Sequence, residues 1–167
     1  ALGGPYENRE PPLSPTFDHD LALSDDTQLT LATVEALLST NGTVEPEVIA
    51  ATFARWFTKR RFVGLGASTL KALRELAAGG HWALVGRRGE MAAGNGAAMR
   101  VAPLAFVLDL DSPTSRRSLR DVCRITHHSD EAYAGALAVA LAIDAAVSKR
   151  WSGGAELLDL VAEELPD

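Results

Sequence analysis

Ser24-Asp25-Asp26-Thr27-Gln28-Leu29-Thr30-Leu31-Ala32-Thr33-Val34-Glu35-Ala36-Leu37-Leu38 is the stretch on which the fold turns. Before it, Pro5, Pro11, Pro12 and Pro15 break any steady period, so residues 1–23 read as an irregular loop with extended pieces. At Ser24 the pattern becomes helical. Serine is a good helix N-cap, and Asp25 and Asp26 in the first turn suit the positive end of the helix dipole. Leu29, Ala32 and Ala36 recur at helical spacing, Leu31, Val34 and Leu38 widen the apolar stripe, and Asn41-Gly42 stops the helix.

The same grammar continues downstream. Pro46 opens a second helix, with Ile49, Phe53, Trp56 and Phe57 on its core face. Gly64-Leu65-Gly66 is a break. A third helix is expected over 68–78, with Leu70, Leu73 and Ala77 inward and Gly79-Gly80 at its end. Residues 81–96 are glycine-rich and read as a loop. A helix is expected from Ala97, kinked or restarted at Pro103. Leu119, Val122 and Cys123 mark another helix. Ser129, followed by Asp130 and Glu131, caps a long alanine-rich one. Leu157, Leu160, Val161 and Leu165 fit a last amphipathic helix, stopped by Pro166. No stretch alternates convincingly as a strand, and no internal repeat is evident. The expected fold class is all-α, one domain over 1–167, helical across 24–167.

Composition narrows the function classes. With 167 residues and 47% hydrophobic content the chain can bury a core and does not read as disordered. A formal charge of −6 argues against a nucleic-acid partner held through phosphates. The apolar run over 132–143 is too short to span a bilayer, so no membrane partner is expected. One cysteine, Cys123, forms no internal disulfide, which fits a reducing compartment, and a cytoplasmic location is expected. No signal peptide is seen at the start, and Ala1-Leu2-Gly3-Gly4-Pro5 reads as a chain entered mid-element, with further sequence expected upstream.

Three places carry chemistry. Ser24, Asp25 and Asp26 offer hard oxygen ligands that diverge around a helix start, a donor set for Mg²⁺, Mn²⁺ or Ca²⁺; a plain acidic helix cap explains the same residues. Gly94-Asn95-Gly96 ahead of a helix lets the backbone approach an anion or a ribose, and a simple turn is its alternative. Arg100 could meet a phosphate or form an internal salt bridge, and Met99 reads as core. His127 and His128 are adjacent and face different ways. His19 and His81 have no partner at ligand spacing.

Together these segments resemble the ADP-ribosylglycohydrolases. Ser24-Asp25-Asp26-Thr27 is similar to that family's Ser/Thr-Asp-Asp-Thr motif, and Gly94-Asn95-Gly96-Ala97-Ala98-Met99-Arg100 to its more specific Gly-Asn-Gly-x-x-Met-Arg segment. Thr126-His127 ahead of a Gly/Ala-rich helix resembles its Thr-His element. Ala1-Leu2-Gly3-Gly4-Pro5-Tyr6-Glu7 resembles the tail of its Gly-Asp-Ala-Leu-Gly-x-x-x-Glu opening. The four motifs stand in family order across nearly the whole chain.

The resemblance implies an all-α bundle with two Mg²⁺ or Mn²⁺ ions between central helices. It implies Ser24, Asp25 and Asp26 as metal ligands, and Gly64, Gly66, Gly94, Asn95, Gly96, Arg100 and His127 as ligand-binding residues. Glu7 is the implied catalytic carboxylate, with Glu90 in reserve. The implied reaction is metal-dependent hydrolysis of the ribose C1″ bond that joins ADP-ribose to a protein or small acceptor. The chain also departs from the pattern. A family serine before the Gly-Asn-Gly is replaced in Met91-Ala92-Ala93. The family's later Asp-x-Asp-Thr/Ser element, which completes the metal site, does not appear after the Thr-His segment; Asp109-Leu110-Asp111-Ser112 has the letters but falls too early and reads as a loop. The expectation is therefore a partial domain: the parent protein an enzyme, this segment alone without turnover. The competing expectation is a non-catalytic family member that binds ADP-ribose or serves structurally.

Overall fold

A computed structural model describes residues 23–150 and 153–165. The expected irregular segment before Ser24, and Glu7 with it, lies outside the described residues, Leu23 excepted. The architecture is helical, as the sequence predicts: α1 (Asp25–Ser39), α2 (Pro46–Thr58), α3 (Ala67–Ala77), α4 (Pro113–Arg124), α5 (Asp130–Ser148) and α6 (Gly154–Glu164). α1 packs on α2, α2 on α3, α4 on α5, and α5 on α6.

α1 ends as its sequence demands. Asn41 and Gly42 both take positive φ (52° and 85°), and the Gly42 amide donates to the Leu37 carbonyl at 2.8 Å. That left-handed turn is nearly free for glycine and costly for a branched residue. α2 and α4 each begin with proline in the first turn, where the missing N–H costs nothing. Ser129 caps α5 by accepting from the Ala132 amide at 3.0 Å.

The core lies between α1, α2, α4 and α5. Leu29, Phe53, Leu104, Leu119 and Leu137 are fully buried in it, and each such side chain contributes ~1.5–3 kcal/mol. The apolar stripe of α1 is narrower than its letters suggest. Leu29, Ala32 and Ala36 are buried, whereas Leu31 and Leu38 face outward at 44% and 74% exposure, and Leu38 shares an apolar hollow with exposed Phe106. On α3, Leu73 is buried with Thr69 and Ala72, and Ala77 is exposed.

Three local expectations are corrected. The stretch after Ala97 is not an α-helix but two short 3₁₀ turns, Ala98–Arg100 and Ala102–Phe106. Pro103 cannot donate to the Met99 carbonyl four residues back, and that carbonyl lies instead 3.4 Å from the Thr30 hydroxyl. A strand pairing also exists: Arg87 and Arg88 pair in parallel with His127 and His128. It is two residues long, too short for alternation to register. Finally, the apolar run in α5 belongs to a 19-residue helix that is long and apolar enough to cross a bilayer. Ala136, Leu137, Ala140, Leu141 and Ala145 bury its inner face in the core.

Candidate active site

The start of α1, the loop entering α3, the loop before the first 3₁₀ turn and the residue after Thr126 converge on one cleft of about 290 Å³. Asp25, Asp26, Gly64, Gly66, Gly94, Asn95, Gly96 and His127 all line it. These residues span more than a hundred positions in sequence, so the convergence is a property of the fold.

α1 organises the assembly through two polar side chains. Gln28 is buried; its amide nitrogen donates to the Leu23 carbonyl at 2.7 Å, and its oxygen accepts from the Val63 amide at 2.9 Å. This ties the Gly64–Gly66 approach to the helix that carries the aspartates. One turn above Asp26, Thr30 donates to the Asp26 carbonyl at 2.8 Å and also reaches Met99. Sequence reasoning missed both residues. Their signal was available: a glutamine and a threonine flanking Leu29 near the start of an otherwise apolar helix must find partners when buried.

Asp25 is 6% exposed and Asp26 is half-buried. Ser24 precedes them in extended conformation (φ −69°, ψ 166°), and its hydroxyl makes no capping bond. The expected cap is thus positional only. The donor chemistry suits a hard divalent cation, but two adjacent carboxylates fall short of the six or so oxygens such ions take. Among the described residues no group of three or more Asp, Glu, His or Cys could hold a metal. The described residues fit one side of a metal site, with further oxygens to come from elsewhere.

His127 lines the same cleft. Its Nδ1 lies 2.7 Å from the Thr126 hydroxyl. Burial, then the nearby Arg100 charge, then His128, push its pKa down to about 4, so it is neutral at physiological pH. Its ring rests against the glycine loop. A Cβ on Gly96 would overlap the ring at Cε1, fall 2.9 Å from Nε2, and press on Thr69 Oγ1 at 3.2 Å. Glycine at 96 is therefore required by close approach.

Arg100 sits behind His127 at 1% exposure. It donates to Thr126 Oγ1 at 2.8 Å and to the Val122 carbonyl at 3.2 Å, and its guanidinium lies 5.2 Å from the centroid of the Phe53 ring. The structure thus places it beneath the cleft wall, without a carboxylate partner among the described residues. Burial lowers its pKa to about 10, which leaves it charged at neutral pH.

Other candidates sit apart. His128 is half-buried, and its Nε2 donates to the Val85 carbonyl at 2.7 Å. Glu90 is exposed in a 3₁₀ turn, Gly89–Ala92, outside the cleft lining. Asp109 accepts from the Asp111 amide at 3.2 Å in the turn that leads into α4, as a loop would. A larger cavity of about 470 Å³ adjoins His127 on its other side. Two of its arginines, Arg120 and Arg124, are paired with Asp130 and Asp121. The convergence of acids, glycines and histidine is in the smaller cleft.

The chain is similar to known proteins along most of its length. The chain is 36% identical over 120 residues to an uncharacterised protein of Archaeoglobus fulgidus, covering 72% of this chain and 38% of that one. It is 32% identical over 168 residues to the uncharacterised protein YegU of Escherichia coli, covering 96% and 48%. A solved structure described as an ADP-ribosylglycohydrolase-related protein complex superposes with a TM-score of 0.68 at 29% identity, covering 96% of this chain and 55% of that one. The chain spans about half the length of such relatives, or less. The family model for ADP-ribosylglycohydrolases matches residues 1–167, and with the cleft built from the motifs of that family, the chain belongs to the ADP-ribosylglycohydrolases.

Proposed function

We propose that the protein containing this chain hydrolyses the ribose C1″ glycosidic bond that joins ADP-ribose to a protein side chain or a small acceptor, with Mg²⁺ or Mn²⁺ as cofactor. The observation that carries this reading is the single cleft shared by Asp25, Asp26, Gly94–Gly96 and His127. The cleft combines acidic oxygens with a glycine loop and a neutral imidazole. A diphosphate flanked by a ribose needs that division of labour.

In this reading Asp25 and Asp26, with Ser24, would hold a divalent ion, which would supply positive charge beside the ribose hydroxyls and the attacking water. The backbone of Gly94, Asn95 and Gly96 accepts the close approach of the diphosphate or ribose. Gly64 and Gly66 put no side chain into the cleft, and the space beside each is open. His127 contributes hydrogen bonding without charge. Charge builds at the anomeric carbon as the bond breaks, and a carboxylate must handle a proton there; Glu7 is the proposed residue. The ligands of this protein are then ADP-ribosylated proteins or ADP-ribose-containing small molecules, met in the cytoplasm.

The full-length protein, given arginine- and serine-linked ADP-ribosylated proteins, is expected to release free ADP-ribose with Mg²⁺ or Mn²⁺ and to lose this activity with chelator. Asp25→Ala with Asp26→Ala should lower turnover at least ~100-fold, the scale of losing a metal-held transition-state contact. No release from any linkage, with ADP-ribose still bound, would establish the second reading, a non-catalytic ADP-ribose-binding member. That reading draws on the donor set among the described residues, two adjacent carboxylates, which is short for a dinuclear site.

A further inference from the structure

Arg100, Thr126 and His127 form a chain of contacts from the core to the cleft. Arginine only donates, so the 2.8 Å contact makes the Thr126 hydroxyl an acceptor from Arg100. That hydroxyl has one proton of its own to place. Among the described residues its one other hydrogen-bond neighbour is His127 Nδ1, at 2.7 Å. If Nδ1 carried the proton, Thr126 would accept twice and its own hydroxyl proton would be buried without a partner, since Thr126 is 0% exposed. An unsatisfied buried donor is costly. The arrangement that satisfies every group runs one way: Arg100 donates to Thr126, and Thr126 donates to Nδ1.

We propose that Arg100 and Thr126 are positioning residues that lock His127 in one neutral tautomer, with its proton on Nε2, so that the cleft presents a fixed hydrogen-bond donor to an anionic oxygen. The direction of that donor follows from the glycine loop. Nε2 is the ring atom nearest a Cβ built on Gly94, at 3.5 Å, and it lies 2.9 Å from one built on Gly96. The buried guanidinium strengthens the lock in two ways. It polarises the Thr126 hydroxyl toward Nδ1, and its charge opposes a second proton on the ring. Its Nε has no hydrogen-bond partner among the described residues. Arg100 is thus held by its terminal nitrogen, the Phe53 ring and packing. That the anionic oxygen belongs to ADP-ribose rests on the function proposed above; the tautomer does not.

The test is long-range proton–nitrogen correlation spectroscopy of the full-length protein with ¹⁵N-labelled histidine, His127 being assigned by its loss in His127→Gln. At pH 7 the wild type is expected to show an unprotonated Nδ1 and a protonated Nε2. Thr126→Val, which removes the donor and keeps the shape, should shift the Nδ1 resonance toward that of an imidazole nitrogen that accepts no hydrogen bond, and Thr126→Ser should restore the wild-type position. A wild-type spectrum with the proton on Nδ1, or with both nitrogens protonated, overturns the proposal even if Thr126→Val does not fold. So does an unchanged Nδ1 resonance in folded Thr126→Val. ADP-ribose affinity by calorimetry, with Mn²⁺ present, should fall about tenfold in Thr126→Val and recover in Thr126→Ser. A changed Nδ1 resonance with unchanged affinity overturns the donor role. A wild-type Nε2–H pattern without any ADP-ribose binding leaves the lock standing and removes the functional reading instead.

Discussion

His127 titrates differently folded and unfolded, and this has a measurable cost. Its pKa falls from the ordinary 6.5 to about 4 on folding, chiefly through burial. Between those values the unfolded chain binds a proton that the folded one refuses, so stability rises with pH across that window. The contribution is complete above pH 6.5, is lost as pH falls toward 4, and amounts to about 3 kcal/mol at most. Urea unfolding of the wild type at pH 7 and pH 4.5 should therefore differ by more than that of His127→Asn, which has no such proton. Equal differences would mean that His127 is not held neutral by the fold. At this scale the residues singled out in the sequence come together in part: Asp25, Asp26, the glycine loops and His127 line one cleft, whereas Ser24 and Arg100 are outside its lining. It did not show that Arg100 would lie beneath the wall, because a residue number carries no depth. Nor did it show Gln28 and Thr30, whose part depends on partners 35 and 69 positions away.

The helices were legible where local chemistry and packing agree. Proline at the starts of α2 and α4, Asn41-Gly42 after α1 and Ser129 before α5 punctuate the chain where the structure does. The Ser129 cap does more than end a helix, because its hydroxyl also lies 3.4 Å from the Ala92 carbonyl beside the glycine loop. Ser129→Ala is expected to cost about 1 kcal/mol in chemical unfolding, and Ser129→Asp, which keeps an acceptor for the Ala132 amide, should cost less. Equal losses in both would place the stability in the Ala92 contact instead. Reading failed where tertiary contacts overrode local preference. The 97–106 stretch has alanine, methionine and leucine in helix-like density, yet Pro103 and the Thr30 contact divide it into 3₁₀ turns. The stripe of α1 was overdrawn because an apolar residue at helical spacing does not reveal whether a neighbour covers it. Leu31 and Leu38 are on the outside.

For the whole molecule, the all-α class, the family and the order of the motifs were all readable in the letters, while the completion of the metal site was not, since the described residues supply two adjacent acids. Cys123 reports on the stability of the entire assembly. It is 2% exposed between α4 and the core, and burial pushes its thiol up to about 11. It should resist thiol reagents at pH 8 in the native protein and react at the rate of global opening, accelerating with denaturant in step with loss of helical signal. Fast labelling without denaturant would reveal a local route into the core. The Val63 amide is its counterpart at the cleft. Its proton is tied to Gln28 on the helix that carries the aspartates, so it can trade with solvent deuterium only when the Gly64–Gly66 wall lifts away from α1. One backbone proton therefore acts as a clock for the breathing of the cleft, ticking separately from the unfolding that Cys123 records.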